Sequence, residues 1–132
     1  MNIEYSDSKN FTPDELQNLF LSVEWASGNF PGKLAVAMKN SAAVFSAREN
    51  GKLIGLVNVL DDGIMTAYVH YMLVNPAYHG KGIGKALVKL VTEKYKDYLR
   101  IVLVSYDNAV GFYENYGFKS GGTSMSLTSL WT

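Results

Sequence analysis

The chain has 132 residues, 48% of them apolar and 18% charged, a composition that excludes a disordered chain and predicts one globular domain spanning residues 1–132. Twelve Lys and Arg balance twelve Asp and Glu with no basic block, so the electrostatic footprint of a nucleic-acid binder is missing. With no cysteine, disulfide frameworks, thiolate nucleophiles and thiolate metal sites are excluded, and the two histidines, His70 and His79, could not complete a zinc site alone.

Residues 1–7 lack the basic and apolar regions of a signal peptide, and no apolar stretch approaches the ~20 residues that span a bilayer. A soluble cytoplasmic protein without a membrane partner is expected. Residues 2–6 read as a first strand. Thr12-Pro13-Asp14-Glu15 then starts a helix, with Thr as N-cap, Pro at the first position and Glu three residues on, and Leu16, Leu19, Phe20 and Val23 form its buried stripe. A loop over residues 24–31, able to move, leads to a second helix over 32–40 that turns Leu34, Ala37 and Met38 inward.

Three strands in a meander follow, over residues 43–49, 52–61 and 64–74, joined by Asn50-Gly51 and Asp62-Gly63, dipeptides suited to two-residue hairpin turns. From 82 to 96 the apolar residues fall at helical spacing, with Lys89, Lys94 and Lys96 on the other face. The uninterrupted run Ile101-Val102-Leu103-Val104 in a strand over 100–105 predicts burial on both faces, as in a central parallel strand reached through that helix. A short helix over 109–116 ends at Gly117, a left-handed cap, with Phe118 folding back on it, and residues 119–130 supply a last hairpin. The fold class is therefore a mixed α/β sheet: an antiparallel meander followed by a parallel strand-helix-strand crossover.

Chemistry concentrates in Asn75-Pro76-Ala77-Tyr78-His79-Gly80-Lys81-Gly82-Ile83-Gly84-Lys85, where a strand ends and alternate glycines open a helix. Glycines let backbone N–H groups converge, a helix N-terminus adds roughly half a positive charge, and Lys81 and Lys85 stand nearby, so the natural guest is a phosphate or pyrophosphate. The spacing fits neither a Walker A loop nor a dinucleotide fingerprint.

His79-Gly80-Lys81-Gly82-Ile83-Gly84 instead resembles the Gln/Arg-x-x-Gly-x-Gly/Ala signature of the GNAT superfamily of acetyl-CoA-dependent N-acetyltransferases, and Phe112-Tyr113-Glu114-Asn115-Tyr116-Gly117-Phe118 is similar to a second element of that family. The resemblance covers nearly the whole chain and implies the GNAT fold, acetyl-CoA as the acyl donor, and direct transfer to an amine. It implies cofactor contacts from His79, Gly80, Lys81, Gly82, Ile83, Gly84 and Lys85, a backbone oxyanion donor at Met72, and pantetheine pairing along Leu73 and Val74. Tyr113 maps to the family's proton donor for the leaving thiolate. Four departures stand out: His79 replaces Gln or Arg, Tyr106 replaces an Asn with Asn108 close by as a substitute contact or a helix cap, Tyr68 replaces a strand Glu base, and Tyr71 replaces an acid common in small bacterial members.

No base is inherited by analogy. Glu24 and Trp25 lie where the family's acceptor lid sits, and Trp25, Phe30, Tyr68 and Tyr71 suit an apolar acceptor site for an aromatic or alkyl amine. His70 and Tyr71, adjacent on a strand, are expected to face opposite sides, leaving one of them for the acceptor cleft. Asp61 and Asp62 read as hairpin residues. The leading function is N-acetylation of a small-molecule or peptide amine through a ternary complex; the alternatives are a weak acyl-CoA-binding sensor and a protein N-acetyltransferase. Residues 124–131 alternate polar and apolar, like an edge strand that a second subunit covers, so a homodimer is a further expectation, testable by light scattering.

Overall fold

The computed structural model describes residues 2–127. Strand β1 (Ile3–Ser6) is followed by α1 (Pro13–Ser22), a 3₁₀ turn (Ala26–Asn29) and α2 (Pro31–Asn40). Strands β2 (Ala43–Glu49), β3 (Lys52–Asp61) and β4 (Thr66–Val74) form the meander, α3 (Ile83–Lys94) crosses to β5 (Arg100–Leu103), and α4 (Val110–Glu114) follows a further 3₁₀ turn. The sheet runs β1-β2-β3-β4-β5, antiparallel throughout except for the parallel β4–β5 pair.

Helix α1 starts where its sequence dictates. Thr12 and Glu15 close a reciprocal capping box on α1, and Glu15 also takes a 2.6 Å ion pair from Arg48 on β2. Leu16, Leu19 and Phe20 are buried with Leu34 and Met38 of α2 against one sheet face, at Val44, Leu56 and Leu73. Ala37 is exposed, whereas the half-buried Ala35 packs on this core, because the inward stripe of α2 runs through 34, 35 and 38. Ile83, Leu87, Val91 and Tyr95 cover the opposite face, at Ile54, Val57 and Val69. The Tyr95 hydroxyl donates to Asp61 at 2.7 Å, which anchors the end of this helix to the hairpin.

Three sequence expectations change. Residues 62–65 form a wider loop, not a two-residue turn, because the Asp62 carboxylate accepts the N–H groups of Ile64, Met65 and Thr66 and so delays the start of β4. Strand β5 is an edge strand among the described residues, not a central one, and leaves Val102 40% and Val104 38% exposed. The reason is that residues 119–127 form no strand: residues 119–124 line a groove of about 570 Å³ beside β5 without entering the ladder. Residues 128–132, with the remainder of the expected hairpin and dimer edge, lie outside the described residues. The Asn50-Gly51 turn and the left-handed Gly117 are as expected (φ 49°, 83° and 91°). Phe118 N–H donates to Tyr113 O at 3.3 Å and its ring folds back edge-on to Tyr113.

Candidate active site

The site grows from one defect in the ladder. Between the pairs Val59↔Val69 and Val57↔Met72, Asn58 alone faces two residues of β4, His70 and Tyr71. The Tyr71 N–H finds the Asn58 side-chain oxygen at 2.8 Å, and the Asn58 amide donates to Ser41 Oγ at 3.1 Å, so both polar atoms of this buried side chain are hydrogen-bonded at the bulge. Pairing of β4 with β5 ends at Val69↔Leu103, and beyond it the two strands part.

The bulge sets which backbone groups look into the gap. Tyr71 N–H points to β3, as does Asn75 N–H, which reaches Ile54 O at 2.8 Å. By the alternation of an extended strand, the N–H and C=O of Met72 and the N–H of Val74 face the open side, while Leu73 turns its own backbone to β3. Val74 O on that open side accepts from the His79 ring at 3.0 Å.

Bulging also corrects the expectation for His70 and Tyr71. Rather than facing opposite sides, their rings stack with centroids 4.0 Å apart and line one cavity of about 100 Å³. Its walls bring together Trp25, Tyr68, Tyr71, Met72 and Tyr113, and add Tyr106. Burial pushes the Tyr113 phenol up to about 12. Burial also pushes the Tyr68 phenol up, helped by Tyr71, and partial burial lowers His70 from its ordinary value, although the residue as a whole is exposed. None of the cavity walls is Asp, Glu, Lys or Arg. Beside it, Leu60, Tyr68 and Val102 stand in register across β3, β4 and β5, with Leu60 44% and Val102 40% exposed, extending an apolar floor.

The segment over α1 and α2 is tied down on this floor. The Tyr71 hydroxyl pairs with Ser27 Oγ at 3.1 Å, and Gln17 donates to Gly28 O at 2.9 Å. A Cβ at Gly28 would lie 2.8 Å from the Leu21 side chain, so only glycine permits this approach. Glu24 itself is exposed and outside the cavity walls, as is Phe30. Glu24 sits at the left-handed position of a Schellman cap (φ 62°), with Trp25 N–H reaching Phe20 O at 3.1 Å. Because an L side chain is strained there, Glu24→Gly should stabilise the chain by about 0.5–1 kcal/mol, read from the midpoint of a urea melt at unchanged m.

Across the gap lies the glycine loop. Gly80 and Gly82 both have φ 78°, and a Cβ at either would meet nothing within 4 Å, so the loop faces open space. Gly82 caps α3 without a side-chain bond and no acid occupies the first turn, which leaves the first N–H groups for an anion, with exposed Lys81 and Lys85 nearby. Gly84 faces the Met72 and Phe112 side chains at 3.5 and 3.4 Å from a would-be Cβ, linking loop, strand and α4. These features fit a pyrophosphate. Asn108 is exposed inside the 3₁₀ turn Asp107–Ala109 and caps neither that turn nor α4, which corrects the cap reading. His79, donating from Nε2 to Val74 O, keeps only a lone pair at Nδ1 when singly protonated. His79→Arg should therefore tighten acetyl-CoA binding by about tenfold, measured by isothermal titration.

Sequence reasoning passed over Asn58, although its signal was present: a single amide inside the apolar run Leu53–Leu60 demands a buried partner.

Comparison with known proteins agrees with this architecture. The family model for the acetyltransferase (GNAT) domain matches residues 16–126. Histone acetyltransferase TAP1 of Glycine max is 35% identical over 119 residues, covering 80% of this chain and 51% of that protein. Glucosamine 6-phosphate N-acetyltransferase of Trypanosoma brucei brucei is 27% identical, covering 64% of this chain and 63% of that protein. The chain thus spans about half to two thirds of the length of these two relatives. An acetyltransferase structure from Deinococcus radiodurans R1 superposes with a TM-score of 0.83 at 28% identity, covering 97% of this chain and 89% of that one. A match over most of the chain, together with the splayed β4–β5 pair and the glycine loop at the head of α3, makes this chain a member of the GNAT acetyltransferase family.

Proposed function

We propose that the chain is an N-acetyltransferase that passes the acetyl group of acetyl-CoA directly to the primary amine of a small molecule or peptide with an apolar or aromatic body. The observation that carries this reading is the meeting of Met72 and Tyr113 in one cavity at the β4–β5 gap, beside an uncapped glycine loop. When bound, acetyl-CoA supplies a thioester: the amine nitrogen bonds to its carbonyl carbon, the C–S bond breaks, and the coenzyme leaves as a thiol.

The protein's own groups divide the remaining work. The Gly80–Gly84 backbone, Lys81 and Lys85 hold the pyrophosphate, and the open-edge groups of Met72 and Val74 pair with the pantetheine amides in the manner of an added strand. Met72 N–H, directed into the gap, stabilises the oxyanion that develops on the carbonyl. Tyr113, held protonated by its surroundings, donates to the departing sulfur.

Walls without Lys or Arg argue for an acceptor that carries no phosphate next to its amine, since a buried phosphate would find no cationic partner. The aromatic walls instead favour an ammonium group by cation–π attraction and an apolar body by burial. No described helix is long and apolar enough to cross a membrane, and the cytoplasm is the proposed compartment. The test is titration with acetyl-CoA, followed in the same preparation by thiol release against a panel of arylalkyl, alkyl, amino-sugar phosphate and peptide amines. Saturable binding with release confined to the uncharged-bodied amines and peptides is expected; no binding overturns the reading, and preference for the sugar phosphate overturns the acceptor class.

A further inference from the structure

We propose that His70 is the general base of the reaction, positioned by the Asn58-filled bulge to take a proton from the acceptor's ammonium group. This rests on the acetyltransferase reading above and assigns the role that the family resemblance left empty.

The placement is built, not incidental. A regular strand turns neighbours to opposite faces, but here Asn58 absorbs one extra residue, and its bond to Ser41 continues through Ser41 Oγ to Ala37 O at 2.8 Å. Sheet and α2 thereby fix the bulge from both ends. The His70 ring is held against Tyr71 at 4.0 Å and beside Tyr68 at 5.8 Å, while Ser27 fixes the Tyr71 hydroxyl. Neither His70 ring nitrogen has a hydrogen-bond partner among the described residues, so a lone pair is available at the cavity that also holds Met72 and Tyr113.

No competitor faces it. The titratable groups around the cavity are Tyr68 and Tyr71 of β4, Tyr106 after β5 and Tyr113 of α4, all phenols, and the segment between α1 and α2 contributes only Trp25. Asp107 and Glu114 line the neighbouring groove by β5, and Glu24 is on the surface. Burial keeps the imidazole below its ordinary 6.5, so it is neutral and able to accept at pH 7. An ammonium group entering the apolar cavity loses hydration and becomes more acidic, which narrows the gap to its acceptor.

The proton accounting closes. One ammonium proton moves to the imidazole lone pair, and the freed nitrogen lone pair forms the C–N bond as the C–S bond breaks. The sulfur takes the Tyr113 hydroxyl proton, Tyr113 is refilled by the second N–H proton of the attacking nitrogen, and the third stays on the amide. The imidazolium returns its proton to water, one per turnover.

His70→Ala and His70→Gln in the full chain, both at an exposed position, should leave acetyl-CoA affinity within about twofold and lower kcat for 2-phenylethylamine by about 10²–10³-fold. Wild-type kcat should fall as pH drops through a midpoint below 6.5, the variants should lose that limb, and added imidazole should restore part of the His70→Ala rate. In parallel, the His70 ring resonance should titrate below 6.5 and shift when 2-phenylethylamine is added to the coenzyme A complex. Variants with wild-type kcat, a lost rate with the acid limb intact and no imidazole rescue, or a ring indifferent to the amine each overturn the assignment. Failure of the wild type to bind acetyl-CoA overturns the acetyltransferase reading beneath it.

Discussion

Replacing Tyr113 by Phe is expected to lower kcat by about 10²–10⁴-fold while leaving acetyl-CoA affinity nearly unchanged. The hydroxyl has no hydrogen-bond partner among the described residues, so its removal costs the fold little, and the ring contacts with Phe112 and Phe118 survive in the variant. What disappears is a hydroxyl donor in the cavity that burial holds protonated. With its phenol near 12, Tyr113 stays loaded below about pH 11, so neither the wild type nor the variant should show a basic limb of kcat from this group. Stopped-flow or steady-state thiol release across the pH range reads both effects. A rate within twofold of the wild type removes Tyr113 from the acid role.

The second large effect is expected at Gly82. Gly82→Val should weaken acetyl-CoA binding by at least about 100-fold, because two added methyl groups project into the space before the first turn of α3 that the pyrophosphate needs. The φ of 78° adds strain of about 1–2 kcal/mol for any L side chain, more for a β-branched one. Gly82→Ala separates the two causes: its single Cβ meets nothing within 4 Å, so it should show the strain as a lowered melting temperature with a much smaller loss of affinity. Titration calorimetry beside thermal melts makes the distinction. Equal affinity in the wild type and the Val variant means that the anion binds elsewhere.

Local chemistry is legible in the sequence. The Thr12–Glu15 capping box, the Asn50-Gly51 turn and the Gly117 cap are each dictated by a few neighbouring residues, and each is observed at its expected place. Hydrophobic periodicity likewise set out the meander and the α3 crossover, because a face must be buried wherever the pattern repeats at the period of the element. The glycine loop is legible in part for the same reason: glycine admits left-handed backbone without strain, and Gly80 and Gly82 adopt it.

Whatever depended on partners distant in the chain was not. An apolar run such as Ile101–Val104 looks the same in a central or an edge strand, and only the absence of residues 119–127 from the ladder makes β5 an edge. Asp62 widened its turn through three backbone contacts that no dipeptide rule encodes. Above all, strict alternation separated His70 from Tyr71, and it failed because Asn58, more than ten residues earlier on another strand, inserted a bulge between them. Short-range stereochemistry in the sequence therefore specified most of the elements and the glycine loop, while Tyr113 was singled out by the family resemblance alone. Cross-strand register alone decided which backbone amides open into the gap and which side chains share the cavity, since a one-residue shift in a strand reverses every direction that follows.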